Sequence, residues 1–247
     1  MVDRARMRDC FGEVDRVPEL LARVEHRDDL EAWDELGYRL CLEGDLVFPA
    51  GFAALPTLVR LAPTSARARG LAGTIIARVA GPHGCDDLLA DCADVIAEFG
   101  PLLDRHLQAR PDDYLPTFLH LLAVRGQYHW SAVLGDFTDD FFQLGCPNCA
   151  VEVTIAVGNY GHYSAIRDWN LGDVDRRDLR PAVPRALEGI GRWMHETAVR
   201  DGQDTLADGI AYVFGDAECP GCACRFNVAA EYTAANLPDR LSALGTH

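Results

Sequence analysis

Residues 146–149 read Cys-Pro-Asn-Cys and residues 219–224 read Cys-Pro-Gly-Cys-Ala-Cys, in a chain of 247 residues with nine cysteines. Both stretches contain two cysteines three positions apart, with a proline directly after the first cysteine. Nine cysteines placed at random over this length would produce about 0.3 such pairs, so chance is a poor explanation for two of them. The recurrence indicates two copies of one local structure that brings sulfur atoms together.

These paired cysteines are typical of a metal site. A Cys-x-x-Cys turn directs two sulfur atoms at one centre about 2.3 Å away, and two such turns complete a shell of four thiolates. Each stretch resembles one knuckle of a zinc ribbon, in which a strand leads into the cysteine turn and a second strand leads out. The resemblance implies a structural zinc ion as the cofactor. The predicted ligands are Cys146, Cys149, Cys219 and Cys222, with Cys224 as the alternate fourth ligand.

The second stretch offers one thiol more than a four-ligand shell needs, because Cys224 follows Cys222 by two positions. A spare thiol beside a metal can be a redox sensor or a nucleophile, or only a small buried side chain. A thioredoxin-like role would require Cys146 at the start of a helix, whereas its flanks indicate strands. Metal release or disulfide formation on mild oxidation would mark a thiol-based sensor.

The flanks of the cysteine stretches indicate a small β module over residues 135–247. Residues 151–157, Val-Glu-Val-Thr-Ile-Ala-Val, alternate and are rich in β-branched side chains, so they predict a strand. Residues 158–180 are predicted to be a loop. Residues from 181 to about 213 return to helical spacing, which predicts a helical insert between the two zinc-ribbon-like knuckles.

The region before this module is predicted to be helical. Apolar residues recur at helical spacing from Val17 to about Leu134, with polar residues on the opposite side. Glycines and prolines divide the region into segments of about ten to twenty residues, which favours antiparallel helix pairs. Cys41 and Cys92 lie singly in these segments and are predicted to be core residues.

A short stretch of the helical region occurs twice. Residues 55–62, Leu-Pro-Thr-Leu-Val-Arg-Leu-Ala, are echoed from residue 115 by Leu-Pro-Thr-Phe-Leu-His-Leu. Proline suits the first turn of a helix, where its missing N–H leaves no hydrogen bond unmade. We therefore expect Pro56 and Pro116 each to mark the start of a helix.

A longer pattern lies between Trp33 and Ala80. Residues 36–58 read LGYRLCLEGDLVFPAGFAALPTL: a helix, a short Gly-x-x-x-x-Pro link and a helix with Ala-Ala-Leu-Pro. This pattern resembles bacterial HEAT-like repeat proteins. The resemblance implies stacked helix pairs over residues 1–134, a continuous core and a concave face that binds a protein or peptide partner. A generic helical bundle has the same periodicity and stays an alternative. The predicted fold class is mostly α, and α+β overall.

Composition narrows the function classes. The 38 acidic and 23 basic residues give a formal charge of −15, which argues against nucleic acid as a partner. Every basic residue is arginine, so Schiff-base lysine chemistry and P-loop phosphate binding are excluded. No apolar run reaches the roughly 20 residues of a membrane span. An N-terminus without a secretory signal and nine cysteines predict a cytoplasmic protein with reduced thiols.

No catalytic residue is assigned from the sequence. His120, His129 and His162 fall near the junction of the two regions, and His195-Glu196 lacks the second histidine of a metallohydrolase helix. The preferred prediction is a zinc-stabilised helical-repeat scaffold that binds a protein or peptide partner. The alternative is an enzyme or accessory factor of a small-molecule biosynthetic pathway, with a pocket at the junction of the helical and zinc modules.

Overall fold

A computed structural model of the chain describes residues 8–26, 29–40, 47–78, 86–133, 139–168 and 170–236. The chain divides into two compact units, Met1–Ala132 and Val133–His247, where the sequence placed the division after residue 134. The first unit is helical, and the second combines a small antiparallel sheet with helices. The predicted class, helix-rich with a small β module, is therefore confirmed.

The helices of the first unit follow from the spacing of apolar residues. In the first helix Val17, Leu20 and Val24 lie one turn apart, and all three are buried. Among the described helices, none combines the length and apolar character that a membrane span requires. The helices described in this unit are α1 Arg16–His26, α2 Leu30–Leu40, α3 Pro49–Leu61, α4 Ala66–Ala77, α5 Asp86–Asp91, α6 Ala93–Gln108, α7 Tyr114–Val124 and α8 Tyr128–Val133.

Helices that follow one another in the sequence pack as pairs. Helix α1 contacts α2, α3 contacts α4, and α6 contacts α7. The pairs also contact one another in two layers, with α1, α3 and α6 in one and α2, α4 and α7 in the other. Burial of large apolar side chains between these helices supplies the main stabilisation of the unit. The fully buried side chains include Leu36, Leu40, Leu55, Leu58, Ile75, Ile76, Phe99 and Phe118.

The prediction that Pro56 starts a helix is wrong. Helix α3 begins at Pro49, which takes the first turn, and Pro56 lies inside the helix. Pro101 likewise lies inside α6 rather than between helices. Interior proline costs about 3 kcal/mol, but buried residues on both sides of Pro56 keep α3 continuous. Pro116 does lie in the first turn of α7. The echoed stretches therefore occupy different positions in helices of different layers.

The second unit contains two antiparallel sheets. The larger has four strands that pair in chain order, and the smaller has two. Helix α10 contacts β2, and the ring of Phe142 on β1 lies 5.1 Å from that of Tyr232 on α11. The elements are β1 Asp139–Gly145, β2 Glu152–Gly158, β3 Tyr163–Asp168, β4 Gly172–Asp178, α9 Gly189–Arg200, α10 Asp204–Val213, β5 Asp216–Glu218, β6 Arg225–Asn227 and α11 Val228–Asn236.

The strand predicted at residues 151–157 is confirmed as β2, but the loop predicted at residues 158–180 is wrong. That segment forms β3 and β4, which pair as a hairpin. Strand β4 lies at the edge of the sheet and is mostly exposed and charged, so its sequence lacks the alternation that reveals a half-buried strand. Asp173 holds it to β3 by accepting hydrogen bonds from Tyr163 Oη and Arg167 Nε, each at 2.8 Å.

An ion-pair network ties the start of the chain to α1 and α2. The side chain of Asp9 is fully buried, and Arg39 Nη1 donates to Asp9 Oδ2 at 2.6 Å. The backbone N–H groups of Phe11 and Glu13 donate to the other oxygen, Asp9 Oδ1, at 2.9 Å. Burial alone would raise the pKa of Asp9, but these hydrogen bonds outweigh it and the pKa is lowered. Arg39 Nε also donates to Glu35 Oε1 at 2.8 Å.

Replacing Arg39 should therefore destabilise the first unit strongly. We expect Arg39→Met to lower the free energy of unfolding by about 3 kcal/mol, because Asp9 would stay buried without its cation. The matched control is Arg60→Met, which removes an exposed ion pair with Glu25 and should cost less than about 1 kcal/mol. Urea denaturation followed by circular dichroism measures both. Equal losses would show that the Asp9 pair contributes no more than a surface pair.

Glu35 should make stability depend on pH in the acid range. Hydrogen bonds from Arg16 and Arg39 lower the pKa of Glu35 from 4.5 to about 2 in the folded protein. Because the folded pKa is below the unfolded one, this stabilisation is complete above pH 4.5 and is lost as the pH falls towards 2. Glu35→Gln should therefore destabilise the protein at pH 6 and have little effect near pH 2. Urea midpoints at several pH values, with the exposed Glu31→Gln as control, measure this; a pH-independent difference would contradict it.

Candidate metal centre

Each cysteine stretch lies at the tip of an antiparallel β-hairpin. Strands β1 and β2 pair from Asp139↔Gly158 to Gly145↔Glu152, and the turn between them carries Cys146 and Cys149. Strands β5 and β6 pair from Asp216↔Asn227 to Glu218↔Arg225, and their turn carries Cys219 and Cys222. The order strand, cysteine turn, strand is therefore the same in both hairpins.

The two turns have the same pattern of backbone hydrogen bonds. In the first, the N–H of Cys146 donates to the carbonyl of Val151 and the N–H of Ala150 to the carbonyl of Cys146, both at 2.9 Å. In the second, Cys219 donates to Cys224 and Ala223 to Cys219, both at 2.8 Å. Ala150 and Ala223 have φ angles of 58° and 57°, the left-handed conformation that closes each turn. We call residues 146–151 the first knuckle and residues 219–224 the second knuckle.

The two knuckles bring four sulfur atoms to one place. The Sγ atoms of Cys146, Cys149, Cys219 and Cys222 all lie within 4.8 Å of one another. Contacts run crosswise: Cys146 Sγ is 3.6 Å from Cys222 Sγ, and Cys149 Sγ is 3.8 Å from Cys219 Sγ. Sulfur atoms placed tetrahedrally at 2.3 Å from one centre are about 3.8 Å apart. The four thiols could therefore hold one metal ion.

The second hairpin is held in place by the larger sheet. Ser164 on β3 is fully buried, and its Oγ donates to the carbonyl of Glu218 at 2.6 Å, one residue before Cys219. Arg180 and Asp216 exchange backbone hydrogen bonds at 2.9 Å. A side chain at Gly215 would meet the carbonyl oxygen of Arg180 at 2.0 Å, so only glycine allows this approach. These contacts fix where the second knuckle stands.

Two N–H groups donate hydrogen bonds that stabilise negative charge on the sulfur of Cys222. Asn148 Nδ2 of the first knuckle donates to Cys222 Sγ of the second at 3.5 Å. With the backbone N–H of Cys224, this bond lowers the pKa of Cys222 to about 6. Burial acts in the opposite direction on Cys219 and raises its pKa to about 12. Asn148 lies within the first cysteine stretch, but the sequence does not show that its side chain bonds to the second knuckle, and nothing in the local sequence of Ser164 marks it as a neighbour of the cluster.

Cys224 stands beside the cluster rather than in it. In each knuckle one residue follows the alanine with left-handed backbone: Val151 in the first and Cys224 in the second. Its sulfur is half-buried and donates to the carbonyl of Arg225 at 3.5 Å. Burial, and then the thiolate charges of Cys146 and Cys222, raise the pKa of Cys224. The structure therefore groups Cys222, and not its alternate Cys224, with the other three thiols.

The remaining cysteines lie elsewhere. Cys92 is buried and its Sγ donates to the carbonyl of Phe52 at 3.5 Å, which confirms its prediction as a core residue. Cys10 is half-buried in the first unit. Cys41 and Cys85 lie outside the residues that the structure describes.

The three histidines singled out by the sequence are distributed over both units. His120 lies on α7, where burial lowers its pKa to about 4 and Gly73 of α4 leaves room for its ring. His129 is buried and its ring lies 5.0 Å from that of Trp130. In the second unit, the ring of His162 stacks on Tyr212 at 3.8 Å. A role for these residues in an enzyme stays a prediction.

Comparisons with known proteins add no family to this description. No protein family model matches the sequence, and no curated protein or solved structure matches it either.

Single cysteine variants should separate the ligands from the neighbouring thiol. We expect Cys222→Ser to lower the bound metal at least about tenfold at limiting metal, because one of four thiolates is lost. Cys224→Ser, two positions away, should keep the full metal content. Elemental analysis of reduced, freshly purified protein measures both variants beside the unsubstituted chain. Loss of metal from Cys224→Ser with retention in Cys222→Ser would instead make Cys224 the fourth ligand.

Proposed function

We propose that this protein is a zinc-stabilised helical-repeat scaffold that binds a protein or peptide partner. The observation that carries the zinc part is the convergence of four thiols from two matched knuckles within 4.8 Å. A tetrahedral set of four sulfur ligands suits zinc, and four protein ligands leave no open position for catalysis. The ion in this proposal is structural, and it joins two segments of the chain that are about seventy residues apart.

The proposed scaffold is the first unit, with HEAT-like pairing of its helices. Helices that are adjacent in sequence pack as pairs. Successive pairs contact one another within each layer: α3 contacts α6, and α4 contacts α7. Stacked helix pairs of this kind bury a continuous core and present one layer of helices to a partner. The contacts between helices support this arrangement independently of the sequence pattern.

A groove between α1 and α3 is the proposed binding surface. It has a volume of about 330 Å³, and mainly apolar side chains line it. Small residues of α3, Ala50, Ala53 and Ala54, form its floor, because they leave space that larger side chains would fill. Leu21 of α1 lines the opposite side and is only half-buried. Accessible apolar surface of this kind marks interaction sites on soluble proteins.

The residues that line the groove indicate the kind of partner that it would bind. Its apolar lining suits the apolar face of a helix or an extended peptide. The rim contributes Glu25, and the chain as a whole carries a formal charge of −15. A partner segment with apolar anchors and flanking lysine or arginine residues would complement both features, since opposite charge speeds association and excludes acidic competitors.

Site-specific photocrosslinking tests this proposal. A photoreactive amino acid placed at Ala53, on the groove, should crosslink one protein in a cell extract, whereas the same probe at the exposed Arg105 should not. Excess unlabelled protein should abolish the crosslink, because it competes for the partner. Excess Leu21→Glu protein should compete at least about tenfold more weakly, since a buried charge faces an apolar anchor. Equal crosslinks from both positions, or equal competition by both proteins, would contradict binding in this groove.

A further inference from the structure

The two knuckles match in backbone hydrogen bonds, and their sequences differ only at the third position, Asn148 against Gly221, and at the last. Val151 ends the first knuckle and Cys224 ends the second. A side chain built at Gly221 would meet Val151 Cγ1 at 3.4 Å and Cys219 Sγ at 3.7 Å. The side chain of Val151, the last residue of the first knuckle, therefore lies close to Gly221 of the second knuckle. Because both knuckles have the same backbone hydrogen bonds, Cys224 occupies the position equivalent to Val151. It therefore adds a fifth thiol beside the cluster.

In each Cys-x-x-Cys pair the first cysteine is buried and the second is exposed. Cys146 and Cys219, the first cysteines, are 3% and 0% exposed, whereas Cys149 and Cys222 are exposed. An oxidant in solution therefore meets the second cysteine of each knuckle first. For Cys222, a further thiol lies two residues along the chain. For Cys149, the equivalent residue is Val151, which has no thiol.

One residue, Ala223, separates Cys222 from Cys224 in the turn. Ala223 between them has a φ of 57°, in the left-handed region. Left-handed helical backbone mirrors the α-helix, in which Cα atoms two residues apart are separated by about 5.4 Å. Disulfides span Cα separations of about 4.4 to 6.8 Å. The expected Cα separation of Cys222 and Cys224 therefore suits a disulfide, which forms once Cys224 Sγ turns from the carbonyl of Arg225 towards Cys222.

We propose that Cys222 and Cys224 form a peroxide-oxidised disulfide pair that opens the metal centre. The inference rests on the zinc centre of the proposed function and adds a site of oxidation to it. Cys222 is the attacking residue and Cys224 is the resolving residue. The substrate class is a hydroperoxide small enough to reach an exposed thiolate, such as hydrogen peroxide.

The reaction balances in two steps. The Cys222 sulfur attacks one peroxide oxygen, the O–O bond breaks, and hydroxide leaves and is protonated to water, so Cys222 becomes a sulfenic acid. The Cys224 sulfur then attacks the Cys222 sulfur, the S–O bond breaks, and the thiol proton leaves with the oxygen as a second water. Two sulfur atoms lose two electrons in total, and hydrogen peroxide accepts them. The cluster is left with three of its four thiolates.

Hydrogen peroxide treatment of the zinc-loaded full-length chain tests the pair. Released zinc is followed with a chromogenic chelator, and disulfides are located by mass spectrometry after alkylation of free thiols. The unsubstituted protein should release zinc as the Cys222–Cys224 disulfide forms. A dithiol reductant with added zinc should restore the starting protein, because a disulfide is reversible whereas a sulfinic acid is not.

The decisive variant is Cys224→Val, which gives the second knuckle the residue that ends the first. It keeps all four proposed ligands, so its zinc content should be unchanged. Without the thiol of Cys224, zinc release should slow by about tenfold and Cys222 should proceed to sulfinic acid, since the neighbouring thiol that is not itself a proposed metal ligand is lost. The control Cys10→Val removes a half-buried thiol of the helical unit and should behave as the unsubstituted protein does.

A reciprocal variant adds a thiol instead of removing one, so its result does not depend on correct folding of Cys224→Val. Val151→Cys should create a second resolving thiol and a second disulfide, within the first knuckle. The inference is overturned if Cys224→Val releases zinc within about twofold of the unsubstituted rate. It is equally overturned if the disulfide joins Cys222 to another proposed ligand: Cys149, Cys219 or Cys146, whose Sγ lies 3.6 Å from Cys222 Sγ. The zinc content before oxidation tests the proposed zinc centre alone, so the two failures are distinguishable.

Discussion

The second unit depends on one constraint: four sulfur atoms from two hairpin tips stand 3.6 to 3.8 Å from their crosswise neighbours. Thiolates at this distance repel one another unless a cation neutralises them. The hairpins are too small to fix this geometry alone, because β5 and β6 have only three residues each and isolated two-stranded hairpins are marginal in water. The proposed zinc ion supplies the attraction that joins them.

The rest of the unit also positions the hairpins. Ser164, buried on β3, holds the carbonyl that precedes Cys219, and Gly215 allows the backbone of β5 to approach Arg180. These contacts lower the entropic cost of assembling four ligands, which is the general advantage of a preorganised site. Strands β2 to β5 and helices α9 and α10 lie in the sequence between the knuckles. The distance of about seventy residues that separates the two cysteine pairs is therefore spanned by folded structure.

In the helical unit the apolar spacing predicted the helices, whereas the prolines predicted their boundaries poorly. Apolar periodicity identified α1 because Val17, Leu20 and Val24 form a simple buried stripe. Proline was a misleading boundary signal, since packing on both sides of Pro56 outweighs the lost hydrogen bond. The buried Asp9 and its partner Arg39 are thirty residues apart, and no local pattern relates them. Local propensity is a weak prior that tertiary contacts override in such places.

The sequence by itself identified the two cysteine stretches and predicted that each lies between strands, because a Cys-x-x-Cys turn is a local structure. It also determined the helical character of the first region, since the apolar spacing repeats within each helix. Only the tertiary structure decided that Cys222 rather than Cys224 joins the cluster, and that β4 is a strand. Both depend on neighbours distant in sequence: the opposing knuckle selects the sulfur that faces it, and β3 supplies the hydrogen bonds that a polar edge strand cannot make alone.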